Sequence, residues 1–183
     1  MAMPCSSSID KSLPREDARE GAGVANGEPL LYLSLGGNQG DRAAFLWEAI
    51  RLITARVGRL HSLSSLYETE PWGFESAQRF FNAVAVVRTP LSPTEVLART
   101  QLIEKELGRA KKTESGGSYQ DRPIDIDLLA HGDCVMSTLE LTLPHPLMTQ
   151  RGFVLQPLVE VAPHWVHPVS GRTARTLLEE LER

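Results

Sequence analysis

The stretch Arg122-Pro123-Ile124-Asp125-Ile126-Asp127-Leu128-Leu129 constrains the fold more than any other in this 183-residue chain. β-Branched and other apolar residues alternate with polar ones at period two, the pattern of a strand with one buried face. Successive strand side chains point to opposite faces, so Asp125 and Asp127 share one face and Ile124, Ile126 and Leu128 the other. A core must cover the isoleucine side, while two carboxylates about 6–7 Å apart along the backbone look the other way. Such groups repel unless they are solvated, protonated or bridged by a cation. An all-oxygen set suits a hard ion such as Mg²⁺, which takes one or two carboxylates and completes its octahedron with phosphate oxygens. Arg122, just before the strand, is a planar guanidinium suited to those phosphates. Taken alone, a solvent face that happens to carry two Asp explains the pair as well.

The rest of the chain supplies a frame for that strand. Residues 1–28 are polar, without apolar periodicity, and read as a disordered extension; residues 29–183 read as one domain. Leu30 to Leu35 predicts a first strand, Gly36-Gly37-Asn38-Gln39-Gly40 a turn, and Asp41 the cap of a helix ending at Gly58. A second strand is expected over Arg59 to Tyr67 and a third, strongly apolar and therefore central, over Phe80 to Val87. Ser92-Pro93-Thr94-Glu95 is a capping box opening a helix to about Leu107. After the Asp strand come a hairpin near Gly132, a short strand around Leu139 to Leu143, and helices over Arg151 to Val161 and Thr173 to Leu181. This order predicts an α+β fold: an antiparallel, ferredoxin-like βαββαβ sheet of four strands, helices on one face, plus C-terminal additions.

Composition narrows the partners. A net charge of −4 speaks against non-specific nucleic-acid binding. No run approaches a membrane span, no signal peptide is visible, and two cysteines build no disulfide framework. A cytoplasmic protein acting on small molecules, without nucleic acid or membrane and as a monomer, is the expectation.

Several further groups could carry chemistry. Phe80 and Asn82 face the same way on a strand, an aromatic plate beside an amide that suits the edge of a flat heterocycle. Core packing explains Phe80, and a backbone contact Asn82, equally simply. Gln101 and Glu104 share a helix face that could be merely solvated. Arg109, Lys111 and Lys112 lie in a glycine-bearing loop before the Asp strand, cations where a polyphosphate needs them. His145, between two prolines, can donate to or accept from a phosphate oxygen, Arg151 can clamp phosphate, and Phe153 can close an aromatic sandwich. Gly36-Gly37-Asn38 is too short for a phosphate loop and reads as an ordinary tight turn.

Together these stretches resemble the 6-hydroxymethyl-7,8-dihydropterin pyrophosphokinase family of folate biosynthesis. The likeness runs from about Leu31 to Pro168 and is carried by Leu35-Gly36-Gly37-Asn38, Tyr67-Glu68-Thr69-Glu70-Pro71-Trp72-Gly73, Phe80-Phe81-Asn82, Arg122-Pro123-Ile124-Asp125-Ile126-Asp127, Pro144-His145-Pro146 and Arg151-Gly152-Phe153. The resemblance implies transfer of an intact diphosphate from ATP to the hydroxymethyl group of the dihydropterin, with release of AMP. It implies two Mg²⁺ ions on Asp125 and Asp127, and a catalytic set completed by Arg109, Lys111 and Arg122. Asn82 would read the pterin edge, Phe80 and Phe153 would stack on its faces, and backbone around Thr69, Glu70 and Trp72 would complete the pocket. Gln101, Glu104, Arg109, Lys111, Arg122, His145 and Arg151 would serve ATP. Lys111 stands where the family commonly has Arg, Tyr119 where Trp is frequent, and the loop over residues 110–121 is longer than in compact members. The competing classes are a non-catalytic ferredoxin-like module and an ATP binder without turnover.

Overall fold

The computed structural model describes residues 27–108 and 121–183. The expectations for residues 1–26, and for Arg109, Lys111, Lys112 and Tyr119, lie outside the described residues. The chain runs β1 (Leu30–Gly37), α1 (Arg42–Arg56), β2 (Arg59–Leu63), β3 (Tyr67–Thr69), β4 (Phe80–Arg88), α2 (Pro93–Glu106) and β5 (Asp125–His131). It continues with β6 (Met136–Ser137), β7 (Thr142–Leu143), a 3₁₀ turn (Met148–Gln150), α3 (Gly152–Val161) and α4 (Ala174–Leu181). The main sheet is antiparallel, in the order β2-β4-β1-β5, and β3 also pairs with β4.

Local chemistry sets the boundaries. The Asp41 carboxylate accepts the Ala44 N–H at 3.0 Å and starts α1. In the Ser92–Glu95 box each side chain accepts the other's backbone N–H, with Pro93 at the first helical position of α2. Leu46, Ala49, Ile50 and Ile53 then face Val96, Ile103, Leu31, Leu33, Leu35 and Ile126 in one aliphatic core.

The sheet differs from expectation in two respects. The strand expected over residues 59–67 is interrupted, giving five strands rather than four. At the break the Ser64 hydroxyl accepts the Val84 N–H at 2.9 Å, so a side chain takes a place in the ladder and pairing resumes only at Tyr67. The helices also cover both faces rather than one. β1 and β4 carry apolar residues on both sides: Leu31, Leu33 and Leu35 meet α1 and α2, while Tyr32, Val84 and Val86 meet Val154, Leu155, Leu158 and Leu177 of α3 and α4. The short strand expected around Leu139 to Leu143 is only Thr142–Leu143, paired with Met136–Ser137 in a hairpin of two-residue strands, and Leu139 stands exposed between them. No helix among the described residues is long and apolar enough to cross a membrane.

Candidate active site

Directly paired residues of an antiparallel sheet share a face, and their side chains are neighbours. Across four strands the register aligns Tyr67, Asn82, Gly36 and Asp125 in one row. One pleat repeat away, Val84, Ser34 and Asp127 form the next row on the same face. That is the face α3 packs on, through Val84 and Tyr32. Gly36, at the centre of the outer row, has no side chain and separates an amide on one side from a carboxylate on the other.

Both glycines at this end of β1 are required by close approach. A Cβ on Gly36 would lie 2.7 Å from Asn82 Oδ1, and one on Gly37 would lie 2.1 Å from the Pro123 carbonyl oxygen. The Asn82 amide therefore lies against Gly36, where it is buried and donates to Thr69 Oγ1 at 2.7 Å. That bond orients the amide, with Oδ1 on the Gly36 side.

Two pairs of aromatic rings form from the β3–β4 loop, β4 and α3. Phe80 is buried and meets Phe74 edge-on, centroids 6.0 Å apart. Trp72 meets Phe153, the second residue of α3, at 6.3 Å. The Arg151 guanidinium lies 4.8 Å from the Trp72 ring centroid and 5.7 Å from that of Phe153. Glu70 points outward to Arg79 at 2.9 Å and Glu68 joins Arg42 at 2.9 Å, so ion pairs staple both ends of the loop between β3 and β4.

The carboxylates stand where the alternating pattern placed them. Ile124, Ile126 and Leu128 are buried under α2, while Asp125 and Asp127 are half-buried on the opposite face. Arg122 Nη1 approaches Asp125 Oδ2 at 3.3 Å, and Arg151 Nη1 approaches Asp127 Oδ2 at 3.8 Å. Each carboxylate has a guanidinium beside it, an arrangement that balances their mutual repulsion. Among the described residues no group of three His, Cys, Asp or Glu could hold a metal alone. Two carboxylates on one face fit an ion that takes its remaining ligands from phosphate and water.

Glu104 is buried, and its Oε1 accepts the Ile126 N–H at 2.7 Å. β5 is the outer strand of the sheet, so this contact satisfies its backbone and ties α2 to the residue between the two aspartates. Gln101, one helical turn earlier, is exposed. The His145 backbone N–H is bound to the Leu129 carbonyl at 2.8 Å, and its Nδ1 accepts the Leu147 N–H at 3.1 Å, which makes Nε2 the donor nitrogen of the neutral ring. His145, Arg151 and Phe153 are thus attached to the C-terminal part of β5 and to α3.

Two features escaped the reading of the sequence. Asn38, passed over as a turn residue, is buried and bonded to Asp121, Arg122 and Gln78. Glu160 of α3 accepts the Ser65 N–H at 3.0 Å, the Ser65 hydroxyl at 2.8 Å and the Tyr67 hydroxyl at 2.8 Å. Burial works against the Glu160 charge, but these three donors outweigh it and hold the carboxyl below its ordinary range. One signal for Glu160 was present: it stands seven residues after Phe153, on the same side of α3.

The comparisons with known proteins agree with one another. Residues 32–163 match the family model described as 7,8-dihydro-6-hydroxymethylpterin-pyrophosphokinase (HPPK). The 2-amino-4-hydroxy-6-hydroxymethyldihydropteridine pyrophosphokinase of Porphyromonas gingivalis is 54% identical over 140 residues, 76% of this chain and 94% of that protein. The Aquifex aeolicus protein of the same name is 37% identical over 139 residues, 76% of this chain and 84% of that protein. The fold is similar to the crystal structure of wild-type Plasmodium falciparum HPPK-DHPS, with a TM-score of 0.66 at 18% identity; the match covers 84% of this chain and 44% of that one.

Proposed function

The chain belongs to the 7,8-dihydro-6-hydroxymethylpterin-pyrophosphokinase family, and on that premise we propose that it transfers an intact diphosphate from ATP to 6-hydroxymethyl-7,8-dihydropterin in folate biosynthesis. The pterin hydroxyl oxygen bonds to the β-phosphorus and loses its proton to water, the bond from that phosphorus to the α,β-bridging oxygen breaks, and AMP leaves. One observation supports this reading: in the Asn82–Gly36–Asp125 row an amide suited to a heterocycle edge and a carboxylate suited to a hard cation flank a residue with no side chain. Acceptor and donor substrates would meet over Gly36.

Asn82 offers its amide to the pterin edge, with Thr69 setting its orientation. Phe80 and Phe153 supply stacking faces, and Trp72 and the Thr69–Glu70 backbone border them. Asp125 and Asp127 would hold Mg²⁺, two ions in the finer reading, which supplies charge neutralisation on the polyphosphate. Arg122 and Arg151, already beside those carboxylates, bind phosphate oxygens on which negative charge builds during transfer. His145 donates from Nε2 to a phosphate oxygen, and Gln101 borders the nucleotide. Glu104 holds the backbone between the aspartates in place. Arg109 and Lys111 complete the cationic set. No protein nucleophile is needed, so catalysis comes from alignment and electrostatic stabilisation.

The strand order supports the ferredoxin-like layout, with β3 and the C-terminal helices as additions. The same reading takes the enzyme as a cytoplasmic monomer whose domain spans 29–183. The test is an AMP-release assay with ATP, Mg²⁺ and 6-hydroxymethyl-dihydropterin. Pterin-dependent AMP is expected, and its absence from folded protein would overturn the reading.

A further inference from the structure

Asn38 follows β1 and is 1% exposed. Its Nδ2 donates to Asp121 Oδ1 at 2.6 Å and, at longer range, to the Gln78 carbonyl at 3.4 Å. Its Oδ1 accepts the Arg122 N–H at 2.9 Å, and its own backbone N–H donates to the Arg122 carbonyl at 3.0 Å. The two segments it joins lie 40 or more residues away along the chain.

Those segments are the approaches to the two halves of the site. Gln78 stands two residues before Phe80 and four before Asn82; Arg122 stands three before Asp125 and pairs with it at 3.3 Å. The bonds demand a primary amide on a short stem, because donor and acceptor are used together in opposite directions. An aspartate there would set a carboxylate against Asp121, and an alanine would leave the Arg122 N–H without its acceptor. Gly37, unable to carry a Cβ beside the Pro123 carbonyl, brings the backbones close enough for these bonds.

We propose that Asn38 is a positioning residue for the transfer step: it sets the heterocycle half of the site and the phosphate half in one fixed relation. The proposal rests on the pyrophosphoryl-transfer reading above. Asn38 acts on the alignment of the attacking oxygen with phosphorus, because its bonds reach the segments leading to both substrates. Its loss should lower kcat by about 100-fold, the scale of a misplacement of about an ångström. The dissociation constants of pterin and of a non-hydrolysable ATP analogue, measured separately, should move by less than about threefold.

The test is a double-mutant cycle on the full chain, with kcat, both dissociation constants and Tm read for each variant. Asn38→Asp places two carboxylates in contact and should lose about 100-fold in kcat. Asp121→Asn alone should cost little, because the exposed partner can turn its amide oxygen to Asn38. Combining them restores a donor facing an acceptor between positions 121 and 38, and the carboxylate at position 38 still accepts the Arg122 N–H, but the longer bond to the Gln78 carbonyl stays lost and accounts for incomplete recovery. The double variant should recover to within about tenfold of the parent. A merely structural clip would move Tm together with kcat, so loss and recovery of kcat at an unchanged Tm and unchanged dissociation constants is the readout that separates the two. If Asn38→Asp does not fold alone, the comparison of kcat with the two dissociation constants is made on Asn38→Ala and on the double variant, and a double variant that folds with kcat still about 100-fold down overturns the proposal. It is also overturned if Asn38→Ala keeps parental kcat, or if both dissociation constants rise in step with the loss of kcat. Absence of pterin-dependent AMP from the parent protein counts instead against the reading it rests on.

Discussion

The two faces of the sheet are built from the same strands and do opposite work. On the α1–α2 side, Leu31, Leu33, Leu35, Ile126 and Leu128 form a closed aliphatic core. On the other side the intervening residues Ser34, Gly36, Asp125 and Asp127 are small or charged, and the aliphatic cover of α3 extends to Val84 and Tyr32. Period-two alternation therefore separates the aliphatic core from the face proposed for the chemistry one residue at a time. Neighbouring substitutions on β5 should have different consequences.

The largest expected effect tests this split directly. Asp125→Ala or Asp127→Ala should lower kcat by at least about 1,000-fold while Tm and pterin binding through Asn82 change little. Ile126→Ala, between them, should cost about 2–5 kcal/mol of stability by opening a cavity, with turnover of the folded fraction at low temperature kept within a few-fold. Denaturant unfolding beside single-turnover assays distinguishes the two. Equal turnover in the Asp variants would show that the strand pair is not the metal site.

A smaller effect is expected at the centre of the row. Gly36→Ala introduces a Cβ 2.7 Å from Asn82 Oδ1, so the amide must swing and loosen its bond to Thr69. The KM for pterin should rise about tenfold, matching removal of one or two oriented hydrogen bonds, while the KM for ATP stays within about twofold. Parallel increases in both constants would mean that Gly36 serves the backbone rather than the gap between the substrates.

How much of this was legible in the sequence follows from which interactions are local. The faces of Asp125, Asp127, Phe80 and Asn82 come from strand period, a property of adjacent residues, and the caps at Asp41 and Ser92 span only a few positions. The break at Ser64 was hidden, because a serine in an alternating run looks the same whether its hydroxyl faces water or replaces a ladder partner. Asn38 was hidden for a related reason. An amide in a glycine turn is ordinary until residues 78, 121 and 122 are known to lie beside it. Helices on both faces were foreshadowed by β4, whose run of buried residues leaves no side for solvent.

The smallest effect concerns how the open face keeps its partial cover. Glu160 ties α3 to Ser65 and Tyr67, and Tyr67 pairs with Asn82 in the site row. The donors to Glu160 hold its folded pKa below the unfolded value, so its contribution is complete above the usual carboxylate range and is lost as pH falls through the folded value. For Tyr67 the hydrogen bond to Glu160, then burial, raises the folded pKa. That contribution is complete below the usual tyrosine range and is lost as pH rises through the folded value. Both groups are largely solvated, which keeps the effect small. The Tm difference between the parent and Glu160→Gln should therefore be widest near neutrality and shrink in acid; against Tyr67→Phe it should shrink in alkali as well. A difference that stays flat from about pH 3 to about pH 11 would show that the Glu160 bonds to Ser65 and Tyr67 contribute nothing to holding α3. α3 would then be held over this face by apolar packing alone, against Tyr32, Val84, Val86 and Leu129 among others, as α1 and α2 are held on the other.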